Sequence, residues 1–383
     1  MKEFAKQGYK PIVFCSDSNN LVSLPKLKSS VSLEEKQGVS LIWLRTLKYS
    51  IAKSFLRIFS WIHFEWNLFW LKKNAFTKPD VIIVSSLSLL SILNGLILKK
   101  KYSCRLVFEI RDIWPLTIVE EGGFSHKNPF VFCLGLIERL GYKYSDVIVG
   151  TMPNLGEHVK KILGYERNVK CIPMGLDVSK LDDKLNLPSD YVEKYFDSSK
   201  FNVVHAGTVG ITNALETFFQ AALMMKDFHD VKFIIVGDGA LKNDYMDKYN
   251  HLPNLVFAPK VPKNMVQSVI ENSDITYFSV YKSKVWDYGQ SLNKVIDYMM
   301  AGKPIVASYS GYPSMINEAG CGSYVPAEDP ASLVNEIKRY FNMTAEQRNS
   351  VGLKGRAWLL ENRSYKKLAS EYISILFDKE AEC

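Results

Sequence analysis

The chain reads as an α/β protein of two doubly wound, Rossmann-like domains. Three observations predict this. Short apolar runs alternate with amphipathic stretches from Pro11 onward. The alternation breaks at a polar, charge-rich segment near Asp177–Lys200 and then restarts. The chain has 383 residues, 47% of them hydrophobic, which is ample for two cores. Continuous apolar strands between helices belong to parallel sheets covered on both faces. Ligands of such sheets bind beyond the strands' carboxyl ends, so the expected site is a cleft that the two domains face.

Residues 2–10 read as the end of a helix, with Gly8 as its exit. A doubly wound domain has a strand and a tight glycine turn ahead of such a helix. The expectation is therefore a first domain without its first N-terminal strand. Its remaining strands are expected at Pro11–Cys15, Val39–Leu44, Val81–Val84, Leu106–Ile110, Val147–Gly150 and Val169–Ile172. Val81–Leu98 is the longest apolar stretch, but Ser85, Ser86, Ser88 and Asn94 interrupt it. That fits a strand turning into a helix better than a membrane span. In the second domain strands are expected at Phe201–His205, Lys232–Val236, Leu255–Phe257, Thr276–Ser279, Ile305–Ala307 and Gly322–Val325. The expected boundaries are 1–180, 181–365, and a C-terminal helix at 366–383 that can cross back to the first domain.

Charge is distributed unevenly. Residues 1–100 carry a net +9, and the rest of the chain carries −1. Such asymmetry points to an anionic surface, a membrane or a nucleic acid. The segment from Phe55 to Phe76 holds Trp61, Trp66 and Trp70 within ten residues, flanked by Lys48, Lys53, Lys72, Lys73 and Lys78. Aromatics at headgroup level with lysines on anionic lipid make an interfacial helix. A buried helix with basic ends is the alternative. The membrane reading is preferred, so the expected partner is an anionic membrane surface through residues 48–78 and no nucleic acid. The six cysteines show no CxxC pair and no zinc spacing, the pattern of reduced thiols in a cytoplasmic protein.

Residues 289–304 are the most informative stretch. Asn293 can cap a short helix, Gly302 supplies a left-handed exit, and Pro304 forbids continuation. Asn293 and Asp297 are four apart and share a face. The first turn offers backbone N–H groups and a positive dipole end, and Lys294 adds a charge. A diphosphate fits there, with Asp297 accepting hydrogen bonds from sugar hydroxyls. An ordinary capped helix that buries Val295, Ile296 and Met299 carries the same pattern.

Four further segments follow expected strands. Arg111, Asp112 and Trp114, closed by Pro115, are placed to line a cleft, or Arg111 and Asp112 form a surface pair. Gly207 and Gly210, around Thr208, let backbone N–H groups approach a phosphate, though a plain turn has the same residues. His205 before them reads as a core histidine. The run 236–240 lacks the third glycine of a dinucleotide fingerprint, so a nicotinamide site is rejected. Lys260 and Lys263 lie in a proline-stiffened loop and can reach a base or phosphate, or remain solvated. No D-x-D triplet is present, so a metal-held diphosphate is not expected: no metal and no cofactor.

The colinear series EIRDIWP, CIPMGLD, HAGTVG with Leu215-Glu216, IIVGDGA and SLNKVIDYMMAGKPIVAS resembles the retaining glycosyltransferases of family 4, nearest the branch that builds O-antigen, capsule and colanic-acid-type polysaccharides. The resemblance spans nearly the whole chain. It implies a GT-B fold, a nucleotide-sugar donor on the C-terminal domain, expected to be UDP-linked, and a lipid-linked saccharide acceptor on the N-terminal domain at the inner membrane face. It puts Asp297 on the second acid of the E-x7-E signature. Gly207, Thr208, Gly210, Lys260, Asn293 and Lys294 become donor-side candidates, and Arg111, Asp112 and Trp114 acceptor-side ones. Asp112, Lys294 and Asp297 are the catalytic candidates. The chain departs from the pattern at Gly289, where the first Glu is usual, at Leu292 for Pro, at Asp297 for Glu and at Thr208 for Arg. A UDP-sugar epimerase and a catalytically inactive membrane scaffold of a polysaccharide assembly complex are the alternatives.

Overall fold

The computed structural model describes residues 1–18, 24–25, 27–49, 55–73, 76–86 and 88–377. It divides into two units. One comprises residues 1–151, 155–172 and 366–383; the other comprises 152–154 and 173–365. The boundary therefore falls near residue 172 rather than 180.

The first unit runs α1 (Lys2–Lys6), β1 (Ile12–Ser16), β2 (Val31–Lys36), β3 (Val39–Leu44), α2 (Phe55–Trp70), β4 (Val81–Ser85), α3 (Ser91–Tyr102), β5 (Arg105–Ile110), α4 (Leu116–Glu120), α5 (Pro129–Tyr144), β6 (Val147–Gly150), α6 (Leu155–Leu163) and β7 (Val169–Cys171). Each strand expected here is present to within a residue or two. The expected single sheet is instead two: β1-β3-β2, and the all-parallel β4-β5-β6-β7. Strand β2 is an addition, and it pairs antiparallel with β3. Its charged, largely exposed sequence VSLEEK hides it from a search for apolar runs. The turn between them uses Gln37 and Gly38, both at positive φ, as a tight hairpin requires. Val81–Leu98 is a strand followed by the start of a helix, as the interrupting serines indicate. No helix among the described residues is long and apolar enough to cross a membrane.

The second unit runs α7 (Ser189–Tyr195), β8 (Phe201–Ala206), α8 (Glu216–Met224), β9 (Val231–Val236), α9 (Lys242–Tyr249), β10 (Leu255–Ala258), α10 (Val266–Glu271), β11 (Ile275–Ser279), α11 (Asn293–Met300), β12 (Ile305–Ser308), α12 (Met315–Ala319), β13 (Gly322–Val325), α13 (Pro330–Phe341) and α14 (Ala345–Asn362). All six strands are parallel, in the order β10-β9-β8-β11-β12-β13. Alternate residues point to opposite layers: Val203, Phe233, Ile235 and Tyr277 to one, Val204, Ile234, Val236 and Phe278 to the other. Both faces are thus buried, which is why these strands read as unbroken apolar runs. The order reverses between β8 and β11. Loops leaving those two strands diverge, and the crevice between them is the expected ligand position.

The last helix, α15 (Tyr365–Phe377), returns to the first unit from residue 366. Its Ala369, Tyr372 and Leu376 pack with Phe4, Val107, Val147 and Val149 in one core.

Candidate active site

In the second unit the loop after β8 carries Gly207, Thr208 and Gly210, and runs through a 3-10 turn (Ile211–Asn213) into α8. It lies back to back with the loop after β9. Gly207 N donates to Val236 O at 2.9 Å, and Val209 N to Asp238 O at 2.9 Å. The close approach constrains the second loop, not the first. A Cβ on Gly237 would fall 1.8 Å from Gly207 O, and one on Gly239 2.2 Å from Val209 O. At Gly207 and Gly210 a Cβ would meet only ordinary contacts at 3.5 Å. The open side of this loop is therefore not filled by its own fold.

Helix α11 starts beside it. Tyr298, fully buried, bonds Ala206 O at 3.0 Å and accepts from Ala206 N at 3.1 Å, which ties the helix to the end of β8. Val295, Ile296 and Met299 are buried as expected, and so are Tyr298 and Met300. Asn293 is not the cap. It is the first helical residue, Leu292 precedes it, and no side chain caps the helix. Gly302 provides the left-handed exit at φ +68°.

Lys294 leaves the first turn toward the loop and donates to Oδ1 of Asn213. Two segments 81 residues apart in sequence thus meet at the switch point. Burial lowers the lysine to about 8. Asn213 is itself buried, and its carbonyl accepts from Ser279 Oγ at 2.7 Å, at the end of β11. Sequence reading missed Asn213, because a lone Asn in a turn carries no signal until its partner is known. His205 lies under the loop with Nδ1 3.1 Å from Tyr277 O. Burial first, then Lys294, pushes it down to about 3, so it is neutral at pH 7. The core reading of His205 is the observed one.

Asp297 is one turn further along α11. Gln267 Nε2 donates to its backbone carbonyl at 3.0 Å. Burial raises its carboxyl, opposed by the charge of Lys263. Lys263, in the 3-10 turn before α10, is therefore the lysine near this helix. Lys260 is exposed and pairs with Asp238 at 3.0 Å, at the edge of the 237–239 loop. Thr208 is exposed.

The segment before α11 explains one departure from the signature. Gly289 has φ +101°, and a Cβ there would lie 2.5 Å from Pro153 Cδ. No glutamate fits this backbone. The loop is held from several sides: Asn154 N to Tyr288 O at 3.0 Å, Met174 N to Ser291 Oγ at 2.8 Å, and Gln290 Nε2 to Tyr324 OH at 2.9 Å.

In the first unit the acceptor-side candidates follow β5. Arg111 N donates to Ser86 Oγ at 3.0 Å, which anchors the loop to the one after β4. Arg111 and Asp112 keep solvent contact, while Ile113 is fully buried beneath them. Nearby protein still raises the Asp112 carboxyl by desolvation, against the pull of Arg111 and Arg57. Trp114, joined to Pro115 by a cis bond, packs edge-on against Trp61 with ring centroids 5.5 Å apart, and Arg57 lies 4.8 Å over Trp61. Helix α2 therefore contributes Arg57 and Trp61 beside this loop. Among the described residues no group of three His, Cys, Asp or Glu is placed to hold a metal ion.

Residues 200–343 match the family model described as glycosyl transferases group 1. The second unit is a glycosyltransferase domain. Its match spans the loop after β8, Lys260, Lys263 and all of α11. No curated protein matches the chain. Among solved structures, sucrose-phosphate synthase from Thermosynechococcus elongatus aligns over 100% of this chain and 92% of its own, with TM-score 0.69 and 14% identity. The E. coli trehalose-6-phosphate structure bound with UDP-2-fluoro glucose aligns over 98% and 94%, at TM-score 0.71 and 12% identity. Anabaena HepE in complex with UDP and glucose aligns over 89% and 87%, at TM-score 0.63 and 13% identity. The two Rossmann-like domains expected from the sequence are the fold the chain has in common with these proteins.

Proposed function

We propose that the chain transfers a glycosyl group from a UDP-sugar to a hydroxyl of a lipid-diphosphate-linked saccharide, with retention, as a family 4 enzyme of bacterial surface-polysaccharide synthesis. The observation that carries the reading is the pairing of Lys294 with Asn213 at the switch point, between an uncapped helix start and a glycine loop with an open side. A diphosphate brings to that position the negative charge that a half-buried lysine and a helix N-terminus favour. Gly207, Thr208 and Gly210 approach it by backbone, Asn293 by the first helical turn, and Asp297 takes sugar hydroxyls with Lys263 beside it. Lys260 lies at the rim. UDP and UDP-sugar ligands in the similar structures support the choice of nucleotide.

Stabilisation of the leaving diphosphate is electrostatic and metal-independent in this reading. With no enzyme nucleophile in the proposed mechanism, the acceptor hydroxyl attacks on the face the diphosphate leaves, and a diphosphate oxygen takes the proton. Arg111, Asp112 and Trp114 shape the acceptor side. The acceptor's lipid brings the protein to the inner face of the membrane, through the 48–78 segment. Of that segment, residues 50–54 and 74–75, including Lys53, lie outside the described residues, as does the side chain of Phe55.

The test is incubation with UDP-sugars, with and without a lipid-diphosphate saccharide. Product that requires the acceptor and retains the anomeric configuration supports transfer. A changed sugar from donor alone supports the epimerase reading. Absence of UDP binding by calorimetry supports the scaffold.

A further inference from the structure

Three helices of the first unit lie side by side. Glu65 of α2 accepts hydrogen bonds from Ser91 and Asn94 of α3, the latter at 2.7 Å. Ile92 of α3 packs against Gly141 of α5. Their outward surfaces are apolar at helical spacing. On α2 these residues are Phe59, Ile62, Trp66 and Trp70, with Trp66 62% and Trp70 64% exposed. On α3 they are Leu93 and Ile97. On α5 they are Phe132, Leu136 and Leu140, with Phe132 64% exposed. An apolar stripe across three neighbouring helices is unusual for a surface left in water.

Outside the buried positions, charge on these helices has one sign. Their only acids are Glu65 and Glu138, and both are buried, the second against His158 at 2.7 Å. Their bases are Arg57, then Lys99, Lys100 and Lys101 at the end of α3, then Arg139 and Lys143 on α5. Asp146 at the border is neutralised by Lys99 at 2.5 Å. A groove opens at that border, lined by Leu96, Lys100, Leu140 and Tyr144.

We propose that α2, α3 and α5 together form one membrane seat, which lies flat on an anionic leaflet. The aromatic and aliphatic stripe enters the headgroup boundary and the lysines of α3 and α5 meet the lipid phosphates. The surface extends well beyond residues 48–78, to a helix some sixty residues later in the chain. The inference rests on the lipid-linked acceptor reading given above. A bilayer is favoured over a second copy of the chain by the unbalanced positive charge, which would repel itself across a self-complementary interface.

The experiment is sedimentation of the full chain with phosphatidylcholine vesicles, with and without phosphatidylglycerol, at low and high salt. Binding to anionic vesicles that high salt weakens is expected. Phe132→Ser/Leu136→Ser and Lys100→Glu/Lys101→Glu, each checked for an unchanged melting temperature, should each lower partitioning on the order of tenfold. If only Trp66→Ser/Trp70→Ser lowers it, the seat is α2 alone and the three-helix proposal fails. It fails too if no vesicle binds, or if light scattering shows a dimer that Phe132→Ser/Leu136→Ser disrupts. UDP titration without vesicles separates the two readings. Normal UDP affinity with no vesicle binding sinks the seat alone, and the reverse sinks the proposed transfer alone.

Discussion

Replacing Lys294 by Met should raise stability while removing function. The lysine stands at about 8 instead of 10.5 because burial disfavours its charge. That gap corresponds to about 3 kcal/mol of cost for holding the proton in the folded chain. Loss of the bond to Asn213 offsets about 1–2 kcal/mol of it. A methionine of similar length should therefore leave the protein about 1–2 kcal/mol more stable at pH 7, worth a few degrees in a unit of this size. The pH dependence has a definite sign. The folded pKa lies below the unfolded one, so the unfolded chain binds more protons between about pH 8 and 10.5, and wild-type stability rises with pH there. The variant should lose that rise. UDP binding should move the opposite way. Wild-type affinity should fall by about tenfold per pH unit above 8 as the lysine discharges, and the variant should bind on the order of a hundredfold more weakly at pH 7 with no such dependence. Scanning calorimetry and UDP titration across pH read both. A Lys294→Met protein that melts lower and binds UDP normally would refute the assignment, since the lysine would then be structural.

Three other outcomes are expected. Asp297→Asn should cut transfer kcat/KM on the order of a hundredfold in a steady-state assay without lowering the melting temperature, because the carboxylate accepts no hydrogen bond from the described residues. Gly289→Ala should destabilise by roughly 1–3 kcal/mol or more in urea unfolding, since the residue sits at φ +101° against Pro153. His205, held near 3, leaves the unfolded chain binding the extra proton from about pH 6.5 downward, so stability should drop by about 1.4 kcal/mol per pH unit toward pH 4. His205→Phe should flatten that acid limb in thermal melts. An equally steep limb in the variant would place the proton elsewhere.

Every sheet-forming element of the second unit, and all but β2 of the first, was legible in the sequence. A parallel strand buried on both faces must be an unbroken apolar run, so every strand of the second unit was visible at nearly its final bounds. Gly8 and Gly302 as helix exits were equally legible, because a left-handed residue after a helix selects glycine wherever it occurs. What the sequence concealed was pairing. Strand β2 is exposed and charged, so its membership comes only from the hydrogen bonds of β3 and a Gln37-Gly38 turn. Asn293 had the composition of a cap but stands one position inside the helix. The partner of Lys294, the choice of Lys263 rather than Lys260 beside Asp297, and the reason Gly289 must be glycine all depend on residues tens to more than a hundred positions away. Local propensity encodes where the backbone turns. Only the tertiary structure decides which charges meet, because that depends on strand order, and strand order is a property of the packed sheet.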